Sequence, residues 1–113
     1  MREGVFSSDT DVWSLFIDGS SCDSGSGAEL ILLAPDGANI EYALRFNFQA
    51  SNNESEYEAM IAGLLLATTL RIKRLLLYSD SRLVVNQVLG VYVAKDKRMD
   101  KYLKKARGLL ENF

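Results

Sequence analysis

Three acidic residues stand at positions from which their carboxylates can act on one substrate. Asp18 and Asp80 each follow a short run of β-forming residues, and Glu56 lies near the start of a helical pattern. Carboxylates that converge from separate elements suit hard divalent cations, and Mg²⁺ is usually held by one or two carboxylates together with substrate phosphates. The sequence therefore indicates metal-dependent phosphoryl chemistry.

Length and composition limit the class of protein. The chain has 113 residues, enough for one domain with a single core, and its 48% apolar and 25% charged residues are typical of a soluble globular protein. Its apolar runs are far shorter than the ~20 residues of a bilayer span, so we expect no membrane segment. We expect residues 1–11, which are polar, to be a flexible leader and residues 12–113 to form the domain.

The single cysteine and the distribution of charge indicate the setting. Cys22 has no intramolecular disulfide partner, so we expect an intracellular location, either cytoplasmic or nuclear. Residues 1–70 carry eleven acidic and two basic residues, whereas residues 71–113 carry four acidic and eleven basic ones. A polyanion would bind the second half, although a solvated basic helix face explains the charge at least as well.

The elements that must position the acidic residues begin with a β-meander. Residues 13–18 are rich in β-forming side chains and end at Gly19, and a second apolar run, residues 25–34, precedes the turn signal at residues 35–37. In residues 39–48 apolar and polar side chains alternate, which predicts a third strand with one buried face. We expect three consecutive antiparallel strands.

A helical pattern follows the third strand. Ser51 or Asn52 is a good N-cap, and residues 57–68 repeat apolar side chains at helical spacing, so we expect an amphipathic helix. On its helical wheel Glu56 aligns with small residues that permit close approach to the sheet. Glu58, on the other flank of the apolar face, remains an alternative.

The last part of the chain is predicted to contain a fourth strand and two helices. Residues 75–78 form an apolar run that is too short for a helix and suits a buried strand ending before Asp80. Ser81 can cap a second helix that ends at Gly90, and a third amphipathic helix begins near Asp96.

The order β-β-β-α-β-α-α predicts how the acidic residues meet. If the first and fourth strands are parallel neighbours, Asp18 and Asp80 lie at the same edge of the sheet, where α/β folds generally place their sites. Glu56 can join them from the first helix.

An ordered set of motifs in this chain closely resembles the ribonuclease H family. The segments are FIDGSS at 16–21, GSGA at 25–28, NNESEYEA at 52–59, GL at 63–64 and SDSRLVVNQ at 79–87. With VYVAKD at 91–96 and RM at 98–99, the resemblance is strongest to the ribonuclease H domains of plant gypsy-type retrotransposon polyproteins. It covers nearly everything from residue 13 to residue 113.

The resemblance implies a ribonuclease H-like α/β fold, with an antiparallel meander of three strands, a parallel fourth strand and flanking helices. It also implies a two-metal endonuclease that hydrolyses the RNA strand of RNA·DNA hybrids during reverse transcription, with reverse transcriptase in the same polyprotein as a partner. Asp18, Glu56 and Asp80 match the family's catalytic carboxylates. Such residues hold two Mg²⁺ ions, for which Mn²⁺ can substitute, roughly 3.5–4 Å apart.

The resemblance also implies contacts with nucleic acid, by residues Gly19, Ser20, Ser21, Asn52, Asn53 and Arg82. The 2′-hydroxyl is the feature by which such a site distinguishes RNA from DNA. Helix capping is an equally good interpretation of Asn52. Arg82 departs from the family pattern, since relatives often have glutamine there, and it either binds phosphate or lies on the surface of the second helix.

The chain stops before positions that the family pattern contains. Family members continue into a fifth strand and a last helix with a fourth acidic residue, and this chain is interpreted as truncated at its C-terminus. We therefore expect hybrid cleavage by this chain to be impaired. Because the fourth strand would then lie at an exposed sheet edge, we also expect self-association, through that edge or through the apolar face of the third helix.

Two other functional classes stay open. The chain could be a non-catalytic module of a polyprotein, either hybrid-binding or structural. A metal-dependent phosphatase or another nuclease with the same fold is a third interpretation, because fold alone does not determine function.

Overall fold

The computed structural model describes residues 11–22 and 25–113, apart from the side chain of Cys22. This part of the chain forms four strands and three helices, with the following bounds: β1 (Val12–Cys22), β2 (Gly25–Leu33), β3 (Asn39–Arg45), α1 (Asn52–Thr69), β4 (Arg74–Ser79), α2 (Arg82–Val88) and α3 (Lys97–Leu110). The predicted element order is confirmed. The predicted leader, residues 1–11, lies outside the described residues except for its last position.

The strands form one mixed sheet in the order β3-β2-β1-β4. β1 pairs with β2 and β2 with β3 in antiparallel register, and the turn at residues 35–37 has Gly37 at φ 95, a conformation that glycine adopts without strain. β4 pairs with β1 in parallel, with Ile17 opposite Ser79 as the last pair. The predicted mixed sheet, and the predicted parallel neighbours β1 and β4, are confirmed.

The core lies between the sheet and α1. The buried apolar side chains that meet there include Leu15, Ile17, Leu30, Leu32, Tyr57, Met60 and Leu64. Burying a side chain of this size contributes about 1.5–3 kcal/mol. A Cβ on Gly63 would lie 2.6 Å from Leu15 Cδ2, so this glycine lets α1 approach β1 closely.

α1 packs against the sheet on one side and against α3 on another. Its buried residues therefore extend around more of the helix than the single apolar stripe that the sequence predicted. The rings of Tyr57 and Tyr102 stack with their centroids 5.6 Å apart, and Tyr102 Oη donates a hydrogen bond to Glu58 Oε2 at 2.7 Å. Arg98 forms an ion pair with Glu54 at 3.1 Å. Because the apolar face of α3 packs on the core, it is not available for the self-association considered above.

Two strands differ from the sequence-based expectation. β3 ends at Arg45 rather than at residue 48, because the chain there turns back toward α1. Ser26 Oγ donates to Ala50 O at 2.9 Å and accepts from Ala50 N–H at 3.0 Å, which fixes this return. β4 is not a buried strand, since Leu76 is 50% exposed and Tyr78 is 45% exposed.

The expected position of β4 at the edge of the sheet is confirmed, and its side chains are exposed because the described helices leave one of its faces open. Phe16 and Tyr78, whose rings stack at 4.7 Å, lie on that open face. No helix in the described part of the chain is long and apolar enough to cross a membrane.

Candidate active site at the strand ends

Asp18 and Asp80 reach the same end of the sheet from adjacent strands. β1 does not end at Asp18, as the sequence suggested, but continues in its pairing with β2 to Cys22. Asp18 therefore directly follows Ile17, the last β1 residue that pairs with β4, and Asp80 directly follows β4. Both aspartates are exposed.

An open cavity of about 530 Å³ contains both aspartates. Its walls include Phe16 and Tyr78 from the open sheet face, and Asp18 and Asp80 lie in its lining together with Glu29. The cavity thus combines an apolar floor with acidic groups, and it is large enough for a phosphate group and a hydrated ion.

Glu56 lies behind this cavity and is held by both strands. The residue is 4% exposed; Gly19 N–H donates to Oε1 and Ser79 Oγ donates to Oε2, each at 2.5 Å. A Cβ on Gly19 would lie 2.4 Å from the backbone nitrogen of Glu56, so glycine is what allows α1 to come this close to β1. The glutamate therefore joins α1 to the residues next to both aspartates.

The structure decides between the two glutamates that the helical wheel left open. Glu56 points to the strand ends, whereas Glu58 accepts the hydrogen bond from Tyr102 on α3. Burial, and then the bond to Glu58, raises the pKa of Tyr102, so this hydroxyl stays protonated and donating at neutral pH. Glu58 thus has a structural contact away from the cavity.

The three carboxylates do not form a preassembled metal cage. Within residues 11–22 and 25–113, no group of three or more His, Cys, Asp or Glu side chains could hold a metal ion. Asp18 and Asp80 on one cavity fit the one or two carboxylates with which Mg²⁺ is usually bound. Each oxygen of Glu56 has a further lone pair beside its hydrogen bond. The three-carboxylate site stays a prediction.

Glu29 is an acidic residue of this cavity that the sequence analysis missed. It pairs with Asp18 in the antiparallel register of β1 and β2, so the two side chains point to the same face of the sheet. The position of Glu29 beside Asp18 follows from the register of the β1–β2 hairpin. The register depends on the loop length and pairing of that hairpin, which no single sequence motif specifies.

The β1 residues proposed to contact nucleic acid differ in how accessible they are. The backbone N–H of Gly19 donates its hydrogen bond to Glu56, within the protein. Ser20 is exposed, and its carbonyl accepts a hydrogen bond from Ser55 Oγ at 3.1 Å. Ser21 is half-buried, and its hydroxyl accepts from Gln49 Nε2 at 3.4 Å.

The helix residues of the same set lie at the starts of α1 and α2. Ser51, not Asn52, is the N-cap of α1, so capping is the wrong interpretation of Asn52, which is exposed. Asn53 Oδ1 accepts a hydrogen bond from Ser81 Oγ at 3.0 Å, and this contact joins the two helix starts. Arg82 is exposed at the first position of α2. The nucleic-acid contacts of all six residues stay predictions.

Comparisons with known proteins agree with this architecture. Residues 16–113 match the family model described as reverse transcriptase-like. The ribonuclease HI of Halobacterium salinarum is 30% identical over 100 residues, which are 87% of this chain and 50% of that protein. The chain thus spans about half the length of this curated relative.

Solved structures show the same fold. The crystal structure of RNase H1 from Halobacterium salinarum superposes with a TM-score of 0.83 at 28% identity, over 90% of this chain and 79% of that one. LC11-RNase H1, solved in complex with an RNA/DNA hybrid, has a TM-score of 0.77 at 22% identity, over 88% of this chain and 76% of its own; at that identity it supports the fold alone. The chain therefore belongs to the ribonuclease H family, through its match to the reverse transcriptase-like model.

Proposed function

We propose that this chain hydrolyses the RNA strand of RNA·DNA hybrids with divalent metal ions. The observation that carries this is the meeting of Asp18 and Asp80 in one open cavity, with Glu56 held behind them by the residues adjacent to each aspartate. The ribonuclease H relatives support the reaction class. The cavity is open to solvent above its apolar floor, which leaves room for a nucleic acid backbone.

The three carboxylates would have different roles in binding the metal ions, because they differ in exposure. Asp18 and Asp80 are exposed, so they would hold Mg²⁺ or Mn²⁺ on the side that faces the substrate, and Glu56 would complete the set from behind. Two such ions, when bound, supply an activated water and stabilise the departing 3′-oxygen. The carboxylates repel one another, and a bound cation would neutralise them, so occupancy should raise stability.

Selectivity for the hybrid would come from the helix starts beside the cavity. The amide oxygen of Asn53 is occupied by Ser81, so its NH₂ group is the part left to donate to sugars or base edges. Asn52 and Ser20 are also exposed. We include Gly19, Ser21 and Arg82 in the proposed contact set on the family resemblance.

The basic face of α3 would add affinity without selectivity. Arg98, Lys101 and Lys105 line a second concavity of about 350 Å³. Glu54 already pairs with Arg98, and Asp100 pairs with Lys104 at 3.0 Å. Lys101 and Lys105 are exposed, and we assign to them the contacts with phosphates.

The proposed setting is the polyprotein of a gypsy-type retrotransposon, inside the cell, with reverse transcriptase as the partner. The description of the matching family model, reverse transcriptase-like, supports the partner, and the setting rests on the resemblance of the motifs. We also propose self-association through β4, whose edge position and exposed Leu76 and Tyr78 suit pairing with a second copy. Light scattering at increasing concentration tests this, and Tyr78→Lys should restore the monomer; a monomer at all concentrations would contradict it.

Cleavage of a labelled RNA·DNA hybrid in Mg²⁺ tests the proposed function. We expect Asp18→Asn and Asp80→Asn to lower turnover at least about 10²-fold, as the loss of a charge-stabilising group typically does. Asp36→Asn, in the β2–β3 turn, is the matched control, because asparagine retains the oxygen that accepts from Ala38 N–H. Its activity should equal that of the wild type.

Binding measurements separate the remaining interpretations. Hybrid preferred over duplex DNA, with no turnover in Mg²⁺ or Mn²⁺, would show a non-catalytic binding module. Equal affinity for every polyanion would reduce the interaction to charge and would contradict the proposed substrate.

A further inference from the structure

The hydroxyl of Ser79, the last residue of β4, has a contact on each side. It donates to Glu56 Oε2 at 2.5 Å and accepts from Ser81 N–H at 3.1 Å. A hydroxyl has a single proton to donate, and an ionised carboxylate can only accept. The Ser81 amide therefore occupies the oxygen while the proton points at Glu56, which sets the direction of this hydrogen bond.

The other oxygen of the same carboxylate is held from the opposite side. Gly19 N–H, on β1, donates to Glu56 Oε1 at 2.5 Å. The carboxylate thus lies between β1 and β4 and is nearly completely buried. A buried carboxylate needs hydrogen-bond donors, and removing one of them leaves it free to rotate toward another.

We propose that Ser79 is a positioning residue, which holds the Glu56 carboxylate in the orientation needed to bind a divalent cation beside Asp18 and Asp80. This inference rests on the function proposed above. Ser79 also lies in the lining of the cavity that contains both aspartates. It acts through Glu56, as the hydrogen-bonded partners of metal ligands do when they orient the ligand.

A matched pair of variants isolates the hydroxyl. Ser79→Thr retains it and Ser79→Val replaces it with a methyl group of the same shape; both side chains are β-branched and suit a strand. Thr69→Ala is the control for loss of a hydroxyl elsewhere, because Thr69 Oγ1 donates only to Leu65 O on α1, in an exposed position. Ser79→Ala provides a second deletion in case valine disturbs folding, which thermal melting detects.

The main measurement is the affinity for Mn²⁺, followed by the electron paramagnetic resonance of the free ion. We expect Ser79→Val and Ser79→Ala to bind Mn²⁺ about 10–100-fold more weakly than the wild type, the usual effect of removing an outer partner of a metal ligand. Ser79→Thr and Thr69→Ala should bind like the wild type. Hybrid binding in EDTA should be equal in all five proteins, since no metal takes part.

The outcomes separate this role from the proposed function. The positioning role would be overturned if Ser79→Val and Ser79→Ala both bound Mn²⁺ with wild-type affinity. It would also be overturned if Ser79→Thr bound Mn²⁺ as weakly as Ser79→Val. If the deletions lose Mn²⁺ as expected but the wild type cleaves no hybrid, the nuclease function fails and the positioning role stands. A wild-type chain that binds no Mn²⁺ overturns both.

Discussion

Gly19→Ala tests the close approach of α1 to β1 on which the candidate site depends. A Cβ at this position would lie 2.4 Å from the backbone N of Glu56 and from the backbone C of Ser55, and 2.8 Å from Ser55 Cβ. The two nearest atoms are backbone, so no change of side-chain rotamer relieves the clash. The helix and the strand must move apart, and the hydrogen bond from the residue 19 amide to Glu56 then lengthens or breaks.

Two effects add in this variant. Overpacking costs about 1–3 kcal/mol, and a lost hydrogen bond to a charged group costs about 1.5–3 kcal/mol. Their sum of roughly 2.5–6 kcal/mol is a large part of the 5–15 kcal/mol that stabilises a typical domain. With a urea m-value of about 2 kcal/mol/M, we expect the unfolding midpoint to fall by about 2 M.

The same substitution at Gly108 is the control. Gly108 lies inside α3, and a Cβ there would have no neighbour within 4 Å. Gly108→Ala should stabilise the protein by about 0.5–1 kcal/mol, because alanine loses less conformational entropy in a helix. A Gly19→Ala protein that unfolds at the wild-type urea concentration would refute the argument that contact between α1 and β1 requires glycine.

Three further predictions concern charge. Because Glu29 lies opposite Asp18, Glu29→Gln should raise the free energy of unfolding of the metal-free protein by about a few tenths of a kcal/mol, seen as a higher melting temperature, and should reduce the gain in melting temperature on adding Mg²⁺. An unchanged gain would contradict the repulsion between the two carboxylates. The pKa of Tyr102 is raised by burial and by its bond to Glu58, so its contribution to stability is complete below pH 10 and is lost as the pH rises above that value. Urea titrations from pH 8 to pH 11 should show this loss, and Tyr102→Phe should make it smaller. Replacing Lys101 and Lys105 by glutamine should reduce the slope of log affinity against log salt by roughly 2 for hybrid and duplex DNA alike, whereas a loss for hybrid only would indicate specific readout.

Local patterns in the sequence were sufficient for the element order. Ser81, Gly90 and Asp96 are short-range signals; α2 begins and ends within a residue or two of the expected positions, and α3 begins directly after Asp96. The parallel pairing of β1 with β4 followed from the element order, and with it the shared position of Asp18 and Asp80.

Other features depended on contacts between residues distant in the sequence. The length of β3 was overestimated because the alternating pattern continues past Arg45, while the contact of Ser26 with Ala50 turns the chain away. The burial of β4 was overestimated because an apolar run does not specify whether both faces of a strand are covered.

The candidate site shows the same division. The sequence alone placed Asp80 directly after a strand and Glu56 near the start of a helix, because capping, periodicity and turn signals act over a few residues, but it wrongly ended β1 at Asp18. Only the tertiary structure decided that Glu56 rather than Glu58 lies between the strands, that Gly19 and Ser79 hold it, and that Glu29 shares the cavity. These depend on strand register and on the approach of α1 to the sheet, which are set by packing between residues far apart in the chain.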